Sequence, residues 1–199
     1  MKKIENHTAL KEWAAVISAL AAGDQVLLVR KGGIADQRFG VDARRFYLFP
    51  TYLHQKERQF KPWAFEHFHR TDRLDAEPER VEIEVWAEVE RVLHIGELAA
   101  LRQLDPLVIF TTETIEERYR FRPDQAVHVI LLRVYRLPMP ATVMNRTEYA
   151  GCRSWISIEE EIDLEGSVAV LDEQTFARRV DEVERLLGTP RPATVPIGS

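Results

Sequence analysis

The chain has 199 residues, 45% of them hydrophobic and 30% charged, with a formal net charge of −5. That balance belongs to one soluble globular domain, and the net negative charge speaks against a wholesale polyanion binder. A single cysteine excludes an internal disulfide and any zinc site built on several thiolates, and it fits a reducing, cytoplasmic compartment.

The opening M-K-K-I-E-N-H-T has two lysines but no apolar core behind them, so it does not read as a signal peptide. No apolar run approaches the roughly 20 residues that span a bilayer, so no membrane partner is expected. Residues 8–22 read as one amphipathic helix, with Thr8 as N-cap and Gly23 as its stop. Leu10, Trp13, Ala14, Ile17 and Leu20 recur at helical spacing, which makes Trp13 a core anchor. V-L-L-V at 26–29 is a strand buried on both faces, and it runs into Arg30-Lys31-Gly32-Gly33. Residues 34–45 form an exposed loop. F-Y-L-F at 46–49 is a second short strand, stopped by Pro50. If these two strands are neighbours, a basic turn and an aromatic turn sit at related edges of one sheet.

Between 51 and 78, Trp63, Phe65 and Phe68 suit a short helix after Pro62. The charged link 70–80 has no core pattern and is expected to be the most mobile internal segment. Residues 81–95 alternate with period two: Val81, Ile83, Val85, Ala87 and Val89 face inward, while Glu82, Glu84, Trp86, Glu88 and Glu90 face water. A strand of that length points to a strongly bent sheet or a barrel. A short helix at 97–104 follows, then a helix at 111–121 read with Thr112 as its cap. The strand at 126–137 is stopped by Pro138 and Pro140, and further strands lie at 152–158 and 168–171. Asp172 caps a helix whose Phe176, Val180, Val183 and Leu187 form one stripe, and Gly188 closes it. The expected organisation is one domain over 1–187, its last helix an appendage, with a Pro-rich flexible tail over 188–199.

Charge is unevenly spread. Residues 30–70 hold nine Lys and Arg against four acids, a window of +5 in an acidic chain. The Lys31-Gly32-Gly33 turn offers glycine amides beside a lysine, with Arg30 and His54 as further contributors to an anion-facing edge. It lacks the spacing of a nucleotide-binding P-loop, and a plain strand-ending turn is the competing reading. In F-P-T-Y-L-H-Q, the side chains of Thr51, Tyr52, His54 and Gln55 suit a base or sugar edge, and Tyr52 or a nearby Trp suits stacking. The alternative is that Thr51 caps a short helix and His54 satisfies a buried backbone group. His67 and His69 share a side only if their segment is extended, and no metal spacing is complete, so no metal or cofactor is assigned. Cys152 reads as a small buried side chain rather than a nucleophile. Glu82, Glu84, Glu88 and Glu90 read as a solvated face paired to arginines of a neighbouring strand, with magnesium-dependent catalysis as the alternative.

The segments A-L-K-E-W-A at 9–14, L-L-V-R-K-G-G-I at 27–34, F-Y-L-F-P-T-Y-L-H-Q at 46–55 and G-C-R-S-W at 151–155 resemble the bacterial domain of unknown function 1802 family. That family carries no established reaction, cofactor or catalytic residue. The order of elements is similar, more distantly, to the ASCH and PUA-like superfamily of small bent barrels. That resemblance implies binding of RNA or modified nucleotides in a cleft beside the first helix. It would draw Arg30, Lys31, Thr51, Tyr52, His54 and Gln55 to that cleft. The expected fold is α+β: a strongly bent, mostly antiparallel sheet or partial barrel with flanking helices. The expected function is a non-catalytic module for RNA, DNA or a nucleotide. A metal-dependent phosphodiesterase and a regulatory protein-interaction domain are the alternatives.

Overall fold

The computed structural model describes residues 4, 7–31, 44–72, 77–121, 127–151 and 153–188. Gly32, Gly33, Cys152 and the tail from 189 lie outside the described residues, as do 73–76 of the charged link.

The segment read as one helix is split. Strand β1 covers Thr8–Trp13, and helix α1, Ala14–Ala22, starts directly from it. Thr8 is therefore a strand residue and not a helix cap. The reason is tertiary pairing: Ala9–Trp13 aligns in parallel with 47–51, and Thr8–Leu10 aligns antiparallel with 155–157. Two flanking ladders satisfy the backbone groups of this segment and most of its residues are buried between them, so local periodicity loses. With no side-chain cap of its own, α1 has one free amide met from afar: Ala15 N–H donates to Gln55 Oε1 at 3.2 Å. At its other end Gly23 adopts φ 81°, as the sequence predicts for the stop.

Strand β2 is Leu27–Lys31 and strand β3 is Arg45–Thr51. Every residue of F-Y-L-F is buried because β3 is covered on both faces: Phe46 and Leu48 enter the larger core, Tyr47 and Phe49 a second one. Pro50 does not end the strand. The β3–β4 ladder stops at Tyr47–Trp86, so Pro50 needs no donor on that side, while β1 flanks it to Thr51. Helix α2, Phe65–Thr71, follows a 3-10 turn at Pro62–Ala64; Phe68 is buried and Trp63 is half exposed.

Strand β4, Arg80–Ile95, pairs along most of its length with β5, Val127–Met144. Helices α3, Leu98–Gln103, and α4, Thr112–Arg120, lie between them in sequence. The cap of α4 is Thr111, whose hydroxyl accepts from Thr114 N–H, and not Thr112. Pro138 and Pro140 do not stop β5. They fall in a bulge where Arg136 to Ala141 oppose only Val85 to Ile83 of β4. The same irregularity inverts the faces of β4. Val81 and Ile83 enter the second core, whereas Val85 and Ala87 enter the larger one. Trp86 therefore turns inward instead of joining the wet glutamate face. It stacks on Tyr135 with ring centres 4.2 Å apart, and its indole N–H donates to Ser167 Oγ.

The chain ends in β6, Trp155–Ser157, β7, Val168–Ala169, and α5, Glu173–Leu187. Asp172 caps α5 through Thr175 N–H at 2.8 Å, and Phe176, Val180, Val183 and Leu187 are its buried residues, as the stripe predicts. The strand order is β2-β5-β4-β3-β1-β6, with β7 also on β5. Pairing is antiparallel except for β1 with β3. The fold is thus α+β with a mostly antiparallel sheet. Strands β2 and β3 are not neighbours, because β5 and β4 stand between them.

A Cβ at Gly23 would lie 2.7 Å from Leu171 Cδ2, on a backbone already left-handed; one at Gly188, φ 62°, meets nothing within 4 Å among the described residues. Gly188→Ala should lose about 1–2 kcal/mol from conformation alone. Gly23→Ala should lose more, because the clash adds to that strain. Urea denaturation ranks the two, and equal losses would contradict the close approach at Gly23.

Candidate functional site

Arg30 leaves β2, one end of the strand order, and reaches the other end. Its Nη1 donates to Lys11 O at 3.0 Å and to Glu12 Oε2 at 2.9 Å, and its Nη2 to Ser154 Oγ at 2.9 Å. A side chain spans only a few ångströms, so the sheet curls until its ends nearly meet. Glu12 is 7% exposed and Arg30 14%, so this ion pair is buried. The second oxygen of Glu12 accepts from Trp13 N–H at 2.9 Å, which completes the solvation the carboxylate loses on burial.

Helix α4 brings a second guanidinium to the same place. Arg118 lies 4.6 Å from the ring centre of Trp13 and 4.1 Å from that of Phe110, and donates to Val29 O at 3.3 Å. Burial is the main influence that holds its pKa below the ordinary value; Glu12 opposes this and Arg30 adds to it. An arginine stays protonated throughout the working range. Glu12 pairs with Arg30 alone, and Arg118 meets no carboxylate at ion-pair distance among the described residues, which leaves the floor with surplus positive charge.

Above this floor opens a cleft of about 860 Å³, walled by the ends of β1 and β2, the turn after β3, α4 and the segment before β6. Arg30, Lys31, Thr51 and His54 all line it. Lys31 donates to Tyr119 O and lies 5.2 Å from that ring's centre. Thr51 donates its hydroxyl to Glu12 O at 3.2 Å, tying the turn to the floor. Glu77 accepts from the N–H groups of Tyr52 and Leu53 at 2.9 and 3.0 Å, and the following His54 is exposed with φ 69°. A non-glycine residue held left-handed is an uncommon feature to find at a cleft rim.

Two other candidates lie elsewhere. Tyr52 packs against the second core. Gln55 is buried, and its amide is divided between Ala15 N–H and Thr71 O, so it joins α1 to α2. Trp13, read as a core anchor, both packs on Phe60 and Phe110 and lines the cleft. Sequence reasoning missed Glu12 and Arg118. The helical reading of 8–22 puts Glu12 off the apolar stripe, and no spacing marks Arg118 among the charged residues of α4.

His67, His69, Glu82, Glu84 and Glu88 have structural partners. His67 and His69 lie on helix α2, not an extended segment, and so do not share a side. His67 joins Ser18 and Asp24 at 3.0 Å each, and His69 meets Glu57 at 3.2 Å. Along β4, Glu88 faces Arg45 at 3.4 Å, Glu84 faces Arg136 at 3.8 Å, and Glu82 accepts from Thr142. Among the described residues no three His, Cys, Asp or Glu side chains form a metal-ligand group. No helix among them is long and apolar enough to cross a membrane.

Fold and site together define an α+β protein with a curled, mostly antiparallel sheet and a cation-floored cleft. The chain belongs to the family described as domain of unknown function (DUF1802), whose model matches residues 9–182. Among solved structures it is similar to the ASCH protein of Zymomonas mobilis, at 10% identity and a TM-score of 0.46, over 89% of this chain and 95% of that one. Two variants of that Zymomonas mobilis protein align with TM-scores of 0.45. One has 10% identity over 90% of this chain and 98% of its own, the other 11% over 87% and 96%. A comparison with curated proteins returns no match.

Arg30→Met should lose about 3–5 kcal/mol, because it strands the buried Glu12 carboxylate, and adding Glu12→Gln should recover part of that loss. Urea melts of the two single variants and the double variant measure the coupling; additive losses would contradict a buried pair. A second expectation concerns acid. Burial, and then the neighbouring His94, lower the pKa of His128 from 6.5. The unfolded chain takes this proton first, so stability should fall as pH drops through 6.5 toward the lowered folded value. His128→Asn should flatten that part of the pH–stability curve, and an unchanged slope would show that His128 is not its source.

Proposed function

We propose that the cleft binds a nucleotide or nucleic-acid anion and holds it without catalysing its turnover. The observation that carries this reading is the floor, where Glu12 pairs with Arg30 and Arg118 is held by two rings and a carbonyl with no carboxylate at ion-pair distance among the described residues. Desolvated cations beside low-dielectric walls attract an anion more strongly than the same charges in water do. Trp13 and the 60% exposed Phe121 add aromatic surface to the wall, which suits a planar base. The volume lies within the range of small-ligand sites. Arg30, Lys31, Thr51 and His54 are the ligand-facing residues of this proposal, joined by Arg118. Tyr52 and Gln55 support the surrounding walls. The single cysteine accords with a reducing, cytoplasmic setting.

The test is titration of tryptophan fluorescence with nucleoside monophosphates, alongside filter binding of short single-stranded RNA and DNA, each at several salt concentrations. Affinity should fall as salt rises. Arg118→Gln, checked for folding by thermal melt, should weaken binding about tenfold, the loss of roughly 1.4 kcal/mol. Absence of salt-sensitive affinity for every one of these probes would sink the proposal.

A further inference from the structure

The cleft and the rest of the chain carry opposite charge. The cleft wall holds six Lys and Arg against four Glu, so it is +2 where the chain is −5. Most of these groups have a partner, and the surplus can be traced to particular cations. Arg30 is matched by Glu12, and Arg146 by Glu159. Lys31 meets a carbonyl and a ring, Arg118 two rings and a carbonyl, and neither meets a carboxylate at ion-pair distance among the described residues. Arg153, exposed on the segment before β6, likewise forms no ion pair there.

A polymer and a small dianion place different demands on such a site. A long strand carries one charge per nucleotide, and most of those charges would lie outside the cleft of a chain whose net charge is −5. A phosphomonoester concentrates about −1.5 to −2 on one group at neutral pH, with three acceptor oxygens. That charge is opposite in sign to the surplus of the wall, and guanidiniums are well suited to grip it.

Building on the binding function proposed above, we infer that the ligand is recognised by a terminal phosphomonoester dianion, seated at Arg118 with Lys31 and Arg153 beside it. The internal phosphodiesters of a strand are not what the cleft selects. Two sources share this chemistry: a free nucleoside monophosphate, and the phosphorylated end of a single strand.

Fluorescence titration at pH 7.5 tests this with the four nucleoside 5′-monophosphates, their 3′,5′-cyclic counterparts and a ten-nucleotide RNA bearing either a 5′-phosphate or a 5′-hydroxyl. At least one monophosphate, or the phosphorylated RNA, should bind about tenfold or more tightly than its cyclic or hydroxyl counterpart. Which of the two does so identifies the source. Arg153→Gln should reduce that preference several-fold, and an unchanged preference would remove Arg153 from the phosphate seat. Equal affinity within every pair would overturn the dianion inference while leaving anion binding standing. If no probe binds at all, both fail.

Discussion

One guanidinium holds the two ends of the sheet together. Arg30 starts from β2 and finds its partners on β1 and just before β6, at the opposite end of the strand order. A ladder of backbone hydrogen bonds would close a barrel there. A side-chain clamp leaves an opening instead, and the cleft lies above it. The clamp tolerates burial because Glu12 neutralises it and the remaining donors and acceptors are met by backbone and a hydroxyl. Thr51 is fastened to the same strand, so the rim moves with the floor.

The rest of the architecture serves that curl. A sheet covered on both faces needs strands that change face as it bends, and the bulges of β4 and β5 supply the change. The prolines of β5 fall where the ladder is already interrupted, so their missing donors cost little. On the outer side of α1, Gln55 and His67 bind α2 to α1 through hydrogen bonds at each end. The 51–55 turn is therefore braced from two directions, from α1 through Gln55 and from the start of the β4 segment through Glu77. A braced rim above a charged floor is preorganised, which lowers the cost of ordering side chains around a ligand.

Electrostatics separates this cleft from the other polar features. Glu82, Glu84 and Glu88 of β4 have cross-strand partners, and the histidines of α2 are occupied with neighbouring helices and turns. Those groups spend their charge on the fold. In the cleft floor the opposite holds, because Arg118 is kept in place by rings and a carbonyl and not by a carboxylate. Rings position a cation without neutralising it, so its charge stays available to a ligand.

Features with a local cause are legible in the amino-acid sequence by itself. The Asp172 cap and apolar stripe of α5, the Gly23 stop, the aliphatic run of β2 and the period of β4 each depend on residues within a turn or two. The curled α+β sheet is legible from the length and alternation of β4. Arg30, Lys31, Thr51 and His54 are legible as polar residues ending apolar runs, and they do line one cleft. Tertiary structure decided the rest. It made Thr8–Trp13 a strand because two ladders were waiting for it, and it carried β5 past its prolines because a bulge absorbed them. It turned Trp86 inward through a register shift, and it brought Arg118 and Glu12 to Arg30 from elements 88 and 18 residues away in sequence. No window of sequence contains those partners, since hydrogen bonds and charge pairs across a sheet depend on where strands meet and not on how they are spaced along the chain.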